Sequence, residues 1–403
     1  MNNFSLKNAL WAAALPALLT ACQPAENVQT EASNLVQFRG KNASARAGAT
    51  QKYIVSFKSD ADMARYLPED NSDYEARSQR MRTLISRLIG VDIAAKSDEV
   101  YTTALKGFSA ELSDYDLQVL QKFSLIESIE PDQEVSLVVP NQVSSMAVGQ
   151  AQVVPWGITR VGGPRTYTGS KKVWIIDTGV LLTHPDLNVN TSLSKGFIGN
   201  SSGNDGNGHG THVAGTIGAR NNTIGVVGVA PGVQVVAVKV LSDAGSGSNA
   251  TVIAGIDYVA ATAASGDVAN MSLGGGVSTT LDNAVKNAAN RGIKFAVAAG
   301  NERSRATTSS PARVDHANVV TVSAHDINNR FASFSNYGNP PIDWCAPGVN
   351  IESTWLGNNY NTISGTSMAT PHVAGILLFG TPLSRGTVTG DRDTTPDKLA
   401  KLP

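Results

Sequence analysis

The 403-residue chain is long enough for more than one domain, and its composition, 41% hydrophobic and 16% charged, is that of a globular protein. The formal net charge of −1 gives no basis for expecting a nucleic acid or an anionic membrane surface as a partner. The two cysteines, Cys22 and Cys345, are poorly placed to form a disulfide framework.

The first 22 residues predict that the protein is exported. Lys7 precedes an apolar run over residues 9–21, which is too short to cross a bilayer but suits the hydrophobic region of a signal peptide. The run ends in Leu-Thr-Ala-Cys at Cys22, which resembles the lipobox of bacterial lipoproteins. That resemblance implies a lipid on Cys22 and makes the membrane a partner of the precursor. The alternative is a plain signal peptide with an incidental cysteine.

The next two segments differ in composition and in hydrophobic pattern. Residues 23–50 are polar and show no sustained period, which predicts a flexible linker. Residues 51–139 carry alternating strand and helix patterns, which predict a small α+β domain. Its predicted strands cover residues 52–57, 105–112 and 126–131, and its predicted helices cover residues 74–89 and a segment that contains Leu117, Leu120 and Phe123. A second loose segment, residues 140–150, follows.

From residue 151 to the end, apolar strand-like runs alternate with helical ones. This pattern predicts an α/β domain with a mainly parallel sheet covered by helices. The predicted strands cover residues 173–177, 233–240, 268–272, 294–299 and 319–324, and the predicted helices cover residues 209–219, 250–264, 281–291 and 367–379.

Three polar residues stand at the points where such a sheet presents its catalytic groups. Asp177 ends an apolar strand and is followed by a glycine turn, which places its carboxylate at the carboxyl edge of the sheet. His209 begins a predicted helix in Gly-Asn-Gly-His-Gly-Thr-His, and Ser367 begins another in Gly-Thr-Ser-Met-Ala. At a helix start, unpaired N–H groups and the helix dipole favour a developing negative charge.

These segments, in the order Asp, His, Ser, are similar to the signature segments of the subtilisin family, with the proteinase K branch as the nearest resemblance. Two further family segments match at residues 272–276 and 298–301, and the similarity runs from about residue 154 to residue 376. The resemblance implies a three-layer subtilisin-like fold and serine endopeptidase activity. Two alternatives are a catalytically inactive subtilisin scaffold acting as a surface-binding lipoprotein and an α/β-hydrolase esterase. The intact triad disfavours the first, and the chain order and the absence of a Gly-x-Ser-x-Gly elbow disfavour the second.

The resemblance assigns a role to each catalytic position. Ser367 is the nucleophile, His209 the base and later the acid, and Asp177 the group that orients and stabilises the imidazole. Asn301 matches the asparagine that stabilises the oxyanion. His212 and His372 each lie on a predicted helix rich in glycine and alanine and are expected to be structural, hydrogen-bonding histidines. The spacing of His209 and His212 also does not fit the zinc motif of metalloproteases.

Substrate is expected to add as a strand beside two segments, as it does in the family. The pocket for the residue before the cleaved bond is expected to have small walls and to accept a large apolar side chain. Glu302 is expected either to extend tolerance to lysine at the rim or to be a solvated loop charge. The expected substrate-binding residues are Gly245, Ser246, Gly247, Ser272, Leu273, Gly274, Ala298, Gly300 and Glu302.

A calcium ion is the cofactor that the resemblance implies, as a structural ligand in place of disulfides. Oxygen donors of this kind suit calcium, although ordinary turn chemistry would also explain the asparagine. The implied ligands are Gln152, Asp186 and Asn222 through their side chains and Arg220, Ile224 and Val226 through their carbonyls, while Asp343 resembles a ligand of a second, weaker site.

Residues 51–139 resemble the family's inhibitory prodomain, which templates folding and blocks the cleft until self-cleavage. The cut is expected in the linker 140–150, with Gln150–Ala151 favoured and any bond from Val143 onward possible. The expected partners are protein and peptide substrates and the chain's own prodomain, for an enzyme that is monomeric. A lipid on Cys22 would then anchor the precursor at a bacterial membrane, and cleavage would release the mature domain, residues 151–403, to the periplasm or beyond.

Overall fold

The computed structural model describes residues 49–58, 72–137, 151–198 and 202–403, together with the backbone of residues 144–146. The predicted signal peptide, Cys22 and most of the first linker lie outside these residues. Within them, no helix combines the length and the apolar character that a membrane crossing requires.

The amino-terminal domain is a four-stranded antiparallel sheet in the order β2-β3-β1-β4, covered by helices. Its core is formed by strand residues such as Ile54 and Phe108 and by Met81 and Ile85 of the first helix. Asp73 accepts a hydrogen bond from the Ala76 N–H and so caps that helix. The elements are β1 Thr50–Phe57, α1 Tyr74–Leu88, α2 Val91–Ala95, β2 Ser97–Tyr101, β3 Gly107–Ser113, α3 Asp114–Leu120, β4 Ile126–Pro131 and β5 Glu134–Ser136.

The second domain follows β6, Ser144–Met146, which belongs to the linker. Its helices are α4 Trp156–Arg160, α5 His209–Gly218, α6 Asn249–Thr262, α7 Thr279–Asn290 and α8 Thr366–Leu377. Its strands are β7 Val173–Asp177, β8 Asn188–Val189, β9 Lys195–Gly196, β10 Gln234–Lys239, β11 Ser246–Ser248, β12 Val268–Met271, β13 Gly274–Gly275, β14 Lys294–Ala298, β15 Val319–His325, β16 Ile342–Pro347, β17 Ile351–Thr354, β18 Tyr360–Ile363, β19 Leu383–Thr387 and β20 Lys398–Lys401.

A large sheet in the order β19-β20-β16-β15-β14-β12-β7-β10-β8 forms the centre of this domain, and β9 also pairs with β10. Every pair in it is parallel except β19 with β20. The sheet is therefore mainly parallel, as the sequence predicts.

Helices cover both faces of the sheet. Along β7, Val173 and Ile175 face a core that includes residues of α5 and α8, whereas Trp174 and Ile176 face a core that includes residues of α6 and α7. Alternation of side chains along a strand explains why every residue of β7 is apolar up to Asp177. The three-layer α/β fold that the sequence predicts is confirmed.

The end of the chain forms the hairpin β19–β20, which joins the sheet edge beside β16. The Leu402 N–H donates to the Val161 carbonyl, and Leu402 is buried in the core. Cys345 packs nearby against Val388 and Leu399, as a small apolar residue.

Two small sheets lie apart from the central one. β5 inserts antiparallel between β11 and β13, and β6 adds antiparallel to the edge of the β17–β18 hairpin. Both therefore join a segment ahead of residue 151 to the second domain.

Candidate active site

Asp177 and His209 meet at the carboxyl edge of the sheet. The Nδ1 atom of His209 lies 2.8 Å from the Asp177 Oδ1 atom, and the two side chains are almost fully buried. A bond from Nδ1–H to a carboxylate fixes the tautomer and leaves Nε2 as a lone-pair acceptor. Nε2 is buried and has no hydrogen-bond partner among the described residues. This atom is therefore the available base.

The close packing of α5 against the end of β7 brings this pair together. A Cβ on Gly210 would lie 2.0 Å from the Gly179 carbonyl oxygen, so only glycine allows the helix to approach the turn after Asp177. The Gly210 N–H also donates to the Thr178 hydroxyl, 3.0 Å away. Close packing therefore explains the glycine at position 210, directly after His209.

Asp205 organises the same helix start, and the sequence analysis missed it. Its buried carboxylate accepts hydrogen bonds from the Thr178 hydroxyl and from the N–H groups of Asn207, Gly208 and Thr211 at 2.9–3.0 Å. An aspartate four residues ahead of a helix start, in a glycine-rich loop, is a capping signal that could have revealed it.

Ser367 is the second residue of α8, and its hydroxyl donates to the Ser272 carbonyl at 3.0 Å. Asn301 follows β14 across the cleft, and its Oδ1 accepts from the N–H and hydroxyl of Thr366 at 2.9 and 3.0 Å. These two bonds fix the orientation of the amide and leave Nδ2 as its donor group. Ser367 and Asn301 line one cavity.

That cavity has a volume of about 400 Å³ and continues along the cleft. Of the expected substrate-binding residues, it is lined by Ser272, Leu273, Gly274, Ala298, Gly300 and Glu302. Gly245, Ser246 and Gly247 form the opposite wall of the cleft, because β5 pairs with Ser246 and Gly247 and the Leu137 N–H donates to the Gly245 carbonyl at 2.9 Å.

Glu302 lies at the edge of the cavity. Its Oε2 accepts a hydrogen bond of 2.7 Å from Asn336 Nδ2, and the side chain is otherwise exposed. The carboxylate is therefore held by Asn336 through one of its oxygens.

The residues expected to bind calcium come together at the loop after α5. Gln152 Nε2 lies 2.7, 3.2 and 3.2 Å from the Arg220 carbonyl, Asn222 Oδ1 and the Val226 carbonyl, so three oxygens converge on one point. The buried Asp186 carboxylate joins them through Asn222 Nδ2 at 2.7 Å. An oxygen-only donor set of this kind fits calcium.

The remaining expected metal ligands lie in two places. The backbone of Ile224 pairs with Ala151 in an isolated bridge beside the Gln152 cluster. Asp343, expected at a second site, lies on β16, and its carboxylate accepts a hydrogen bond from the Thr321 N–H at 2.9 Å.

His212 and His372 are buried inside the domain. His212 Nε2 lies 2.9 Å from the Ile351 carbonyl, and His372 Nδ1 lies 2.9 Å from the Met368 carbonyl. Burial lowers the pKa of each imidazole to about 3, so both are neutral at ordinary pH. They are structural groups that bond to the backbone.

The amino-terminal domain makes polar contacts with the amino-terminal ends of α6 and α7, where Ala250 and Thr280 are buried. Asp132 accepts from the Ala250 N–H at 2.9 Å, and Glu130 accepts from the Thr280 N–H at 3.1 Å, so each carboxylate lies at a helix amino terminus. In return, the buried carboxylate of Asp257 on α6 accepts from the N–H groups of residues 102–104 at 2.6–2.8 Å.

Comparison with known proteins agrees with this geometry. Residues 169–379 match the subtilase family and residues 52–138 match the peptidase inhibitor I9 family. The chain is 41% identical to M-protease of Shouchella clausii over 357 residues, covering 85% of this chain and 84% of that protein. It is 41% identical to the "Extracellular serine proteinase" of a Thermus species, covering 80% and 78% of the two chains.

A solved structure of a cold-adapted subtilisin-like serine proteinase aligns with a TM-score of 0.55 and 38% identity. The match covers 62% of this chain and 98% of that one, as expected if the second domain is the shared part. The chain therefore belongs to the subtilase family of serine proteases and carries an inhibitory I9 domain ahead of its protease domain.

Proposed function

We propose that the protein is an exported serine endopeptidase that uses Asp177, His209 and Ser367 as its catalytic triad and is made as a self-processed precursor. The observation that carries the proposal is the buried Asp177–His209 pair, whose Nε2 has no hydrogen-bond partner among the described residues. His209 begins α5, and this helix packs against α8, which carries Ser367 as its second residue. A serine nucleophile requires a base of this kind.

The chemistry follows from these groups. His209 Nε2 takes the proton of the Ser367 hydroxyl as its oxygen attacks the peptide carbonyl, and Asp177 stabilises the imidazolium that forms. The hydroxyl must first turn from the Ser272 carbonyl, to which it donates in the resting state. His209 then passes the proton to the leaving amine, and water hydrolyses the acyl-enzyme by the same route.

Asn301 Nδ2 and the Ser367 N–H are the proposed donors to the oxyanion. Thr366 holds the Asn301 amide in place before reaction, so no reorientation is needed as the charge develops. Preorganised donors of this kind contribute several kcal/mol in related enzymes, about 2.7–4 for the corresponding asparagine of subtilisin.

The cavity supports a preference for a large apolar residue before the cleaved bond. Its walls at Ser272, Gly274 and Ala298 are small and leave about 400 Å³. Glu302 adds an exposed carboxylate to the cavity lining, which supports tolerance of lysine there.

The strand β5 supports self-inhibition. It fills the cleft between β11 and β13, where a substrate strand is expected, and it belongs to the inhibitory domain. Until this strand leaves the cleft, no other peptide can pair with the same two edges.

From the sequence, Gln150–Ala151 is the favoured bond for self-cleavage, and any bond from Val143 onward is possible. Ala151 bridges to Ile224, beside the proposed calcium ligands, and not to β11 or β13. This placement supports a first cut nearer to β5 than residue 150, followed by trimming of the new amino terminus.

Calcium is the proposed structural ligand of Gln152, Asp186, Asn222 and the carbonyls of Arg220, Ile224 and Val226. The convergence of three oxygens on Gln152 Nε2 supports it, because turning the amide over would direct its own oxygen to the same point. Bound there, calcium would fasten the amino-terminal segment to the loop after α5.

Export rests on the amino-terminal sequence and on the relatives. The Thermus relative is named an extracellular enzyme, which supports export of this chain as well. The lipid on Cys22, and with it a membrane-anchored precursor, remains a prediction from the lipobox-like sequence.

The test is hydrolysis of a succinyl-peptide anilide with phenylalanine before the bond. Ser367→Ala should remove activity, by about a million-fold in kcat if the triad acts as in subtilisin, and should also block self-cleavage. Ser364→Ala, three residues earlier, is the matched control, and comparable activity of Ser367→Ala and wild type would refute the assignment.

A further inference from the structure

We propose that the outer edge of β18 is a docking site for substrate residues well beyond the cleaved bond, on its carboxyl-terminal side. The inference rests on the proposed function and extends it from the cleft to a second surface. The occupant is an extended polypeptide that adds to β18 as an antiparallel strand, as the chain's own β6 does.

The two strands β5 and β6 run in opposite senses relative to the nucleophile. β5 runs towards the nucleophile, since Ser136 pairs with Gly274 and the carbonyl of nearby Ser272 accepts from Ser367. β6 runs away from it, because Ser144 pairs with Thr362, five residues before Ser367, and Met146 pairs with Tyr360, seven residues before.

A single chain thus approaches the nucleophile along β13 and departs along β18. Seven peptide steps join Leu137 to Ser144, a reach of at most about 25 Å. The two strands therefore flank the reacting bond as the two halves of one bound polypeptide, and that bond lies between Leu137 and Ser144.

The register of the hairpin shows which backbone groups face the occupant. The Trp355 N–H donates to the Asn359 carbonyl, so residues 359, 361 and 363 turn their backbone groups towards β17. Tyr360 and Thr362 consequently turn theirs outward, to β6. On β6, residues 144 and 146 face β18, whereas Ser145 faces away.

One of these outward groups is already paired within the strand. The Thr362 N–H donates to the Asn361 side-chain oxygen at 2.9 Å. The groups left for a partner are the N–H and carbonyl of Tyr360 and the carbonyl of Thr362. Docking therefore depends most on the substrate residue opposite Tyr360, where a residue without an N–H, such as proline, should be disfavoured.

The first test uses peptides that copy residues 131–149 and the self-processed wild-type enzyme. N-methylation of the residue that corresponds to Met146 removes an N–H that faces Tyr360, and should lower kcat/KM about three- to tenfold, the effect of one lost hydrogen bond. N-methylation at Ser145 is the matched control and should leave kcat/KM unchanged. A peptide that ends at Gln142 should lose at least as much as the Met146 derivative.

Equal cleavage of all four peptides would overturn the docking site while leaving the protease assignment intact. Cleavage of none of them, nor of the peptide anilide, would refute the proposed function itself, and the docking site with it.

The second test needs no catalysis. In the full-length Ser367→Ala precursor, Met146→Pro should speed hydrogen exchange at the Tyr360 amide, whereas Ser145→Pro, whose lost N–H faces away from β18, should change it less. The same exchange rate in both variants would show that β6 does not pair with β18, and would overturn the inference.

Discussion

Buried histidines that take no part in the chemistry link the stability of this protein to pH. His372 and His212 have pKa values of about 3 because burial disfavours the imidazolium, against about 6.5 in an unfolded chain. Below pH 6.5 these two histidines therefore bind protons in the unfolded state but not in the folded state. Each histidine makes the protein less stable as the pH falls from 6.5 towards 3.

His372→Asn should make the loss of stability in acid shallower. The asparagine amide can replace the Nδ1 donor to the Met368 carbonyl but cannot titrate. Between pH 6.5 and 5, the free energy of unfolding should fall by about 2 kcal/mol less than in the parent. Urea unfolding of the Ser367→Ala precursor at both pH values measures this without autolysis.

The matched control is His316→Asn, at a partly exposed histidine bonded to Asn290. Parallel pH profiles for His372→Asn and its parent would contradict the role given to burial. The buried carboxyl of Asp397 acts in the opposite direction, because burial raises its pKa to about 7 and the protein becomes less stable as the pH rises towards that value. This contribution is the same in each variant and therefore cancels when they are compared.

At the scale of elements, local patterns predict most of the protease domain. Strand β7 and helices α5 and α8 are found within two residues of their predicted bounds, because long apolar periods specify them. The hairpin β19–β20 was not predicted, since its residues are polar and only pairing with β16 makes them strands. The contact of Asp257 with residues 102–104 was beyond sequence reasoning for the same reason, since it joins two domains.

The helix starts of α6 and α7 should contribute to the strength of self-inhibition. Glu130 lies at the amino terminus of α7 and accepts from the N–H and hydroxyl of Thr280. Glu130→Gln removes a charge at a helix dipole and should weaken the complex about fivefold, for a loss near 1 kcal/mol. The lag between self-cleavage and peptidase activity should shorten accordingly.

Glu127→Gln is the control, because that side chain is exposed on the same strand. An equal lag in both variants and in the wild type would show that the helix contact adds nothing to inhibition.

Calcium removal should loosen the amino-terminal segment of the protease domain. A ligand present at 100 times its Kd stabilises the folded state by about 2.7 kcal/mol, which corresponds to roughly 5–10 °C in Tm for a domain of this size. Chelator should therefore lower the Tm of the wild type by that order and speed autolysis. Asp186→Asn should already melt low and respond little to chelator.

Tyr360→Phe serves as the comparison, since it removes only a 3.3 Å hydrogen bond to the Asp186 carboxylate and keeps the charge. It should retain the full response to chelator. No shift on chelation in the wild type would count against the site.

At the scale of the whole molecule, the strand that fills the cleft and the predicted lipid both precede the linker in which cleavage is expected. The strand that fills the cleft belongs to the domain ahead of residue 139, and the lipid predicted on Cys22 would lie ahead of that domain. Processing after β5 would therefore cut the predicted covalent link between the membrane and the protease domain. Only the non-covalent contact with the inhibitory domain would remain, and degradation of that domain would both activate and release the enzyme.

Cell fractionation tests this coupling. The Ser367→Ala precursor should remain in the membrane fraction, whereas the wild type should yield a soluble active species whose amino terminus lies beyond Leu137, because self-cleavage removes everything before the cut. Cys22→Ala on the Ser367→Ala background is the control, and it should leave the membrane fraction without any processing. An active wild-type enzyme that stays membrane-bound with Cys22 still covalently attached would contradict release by processing, since activity would then have arisen with the link intact.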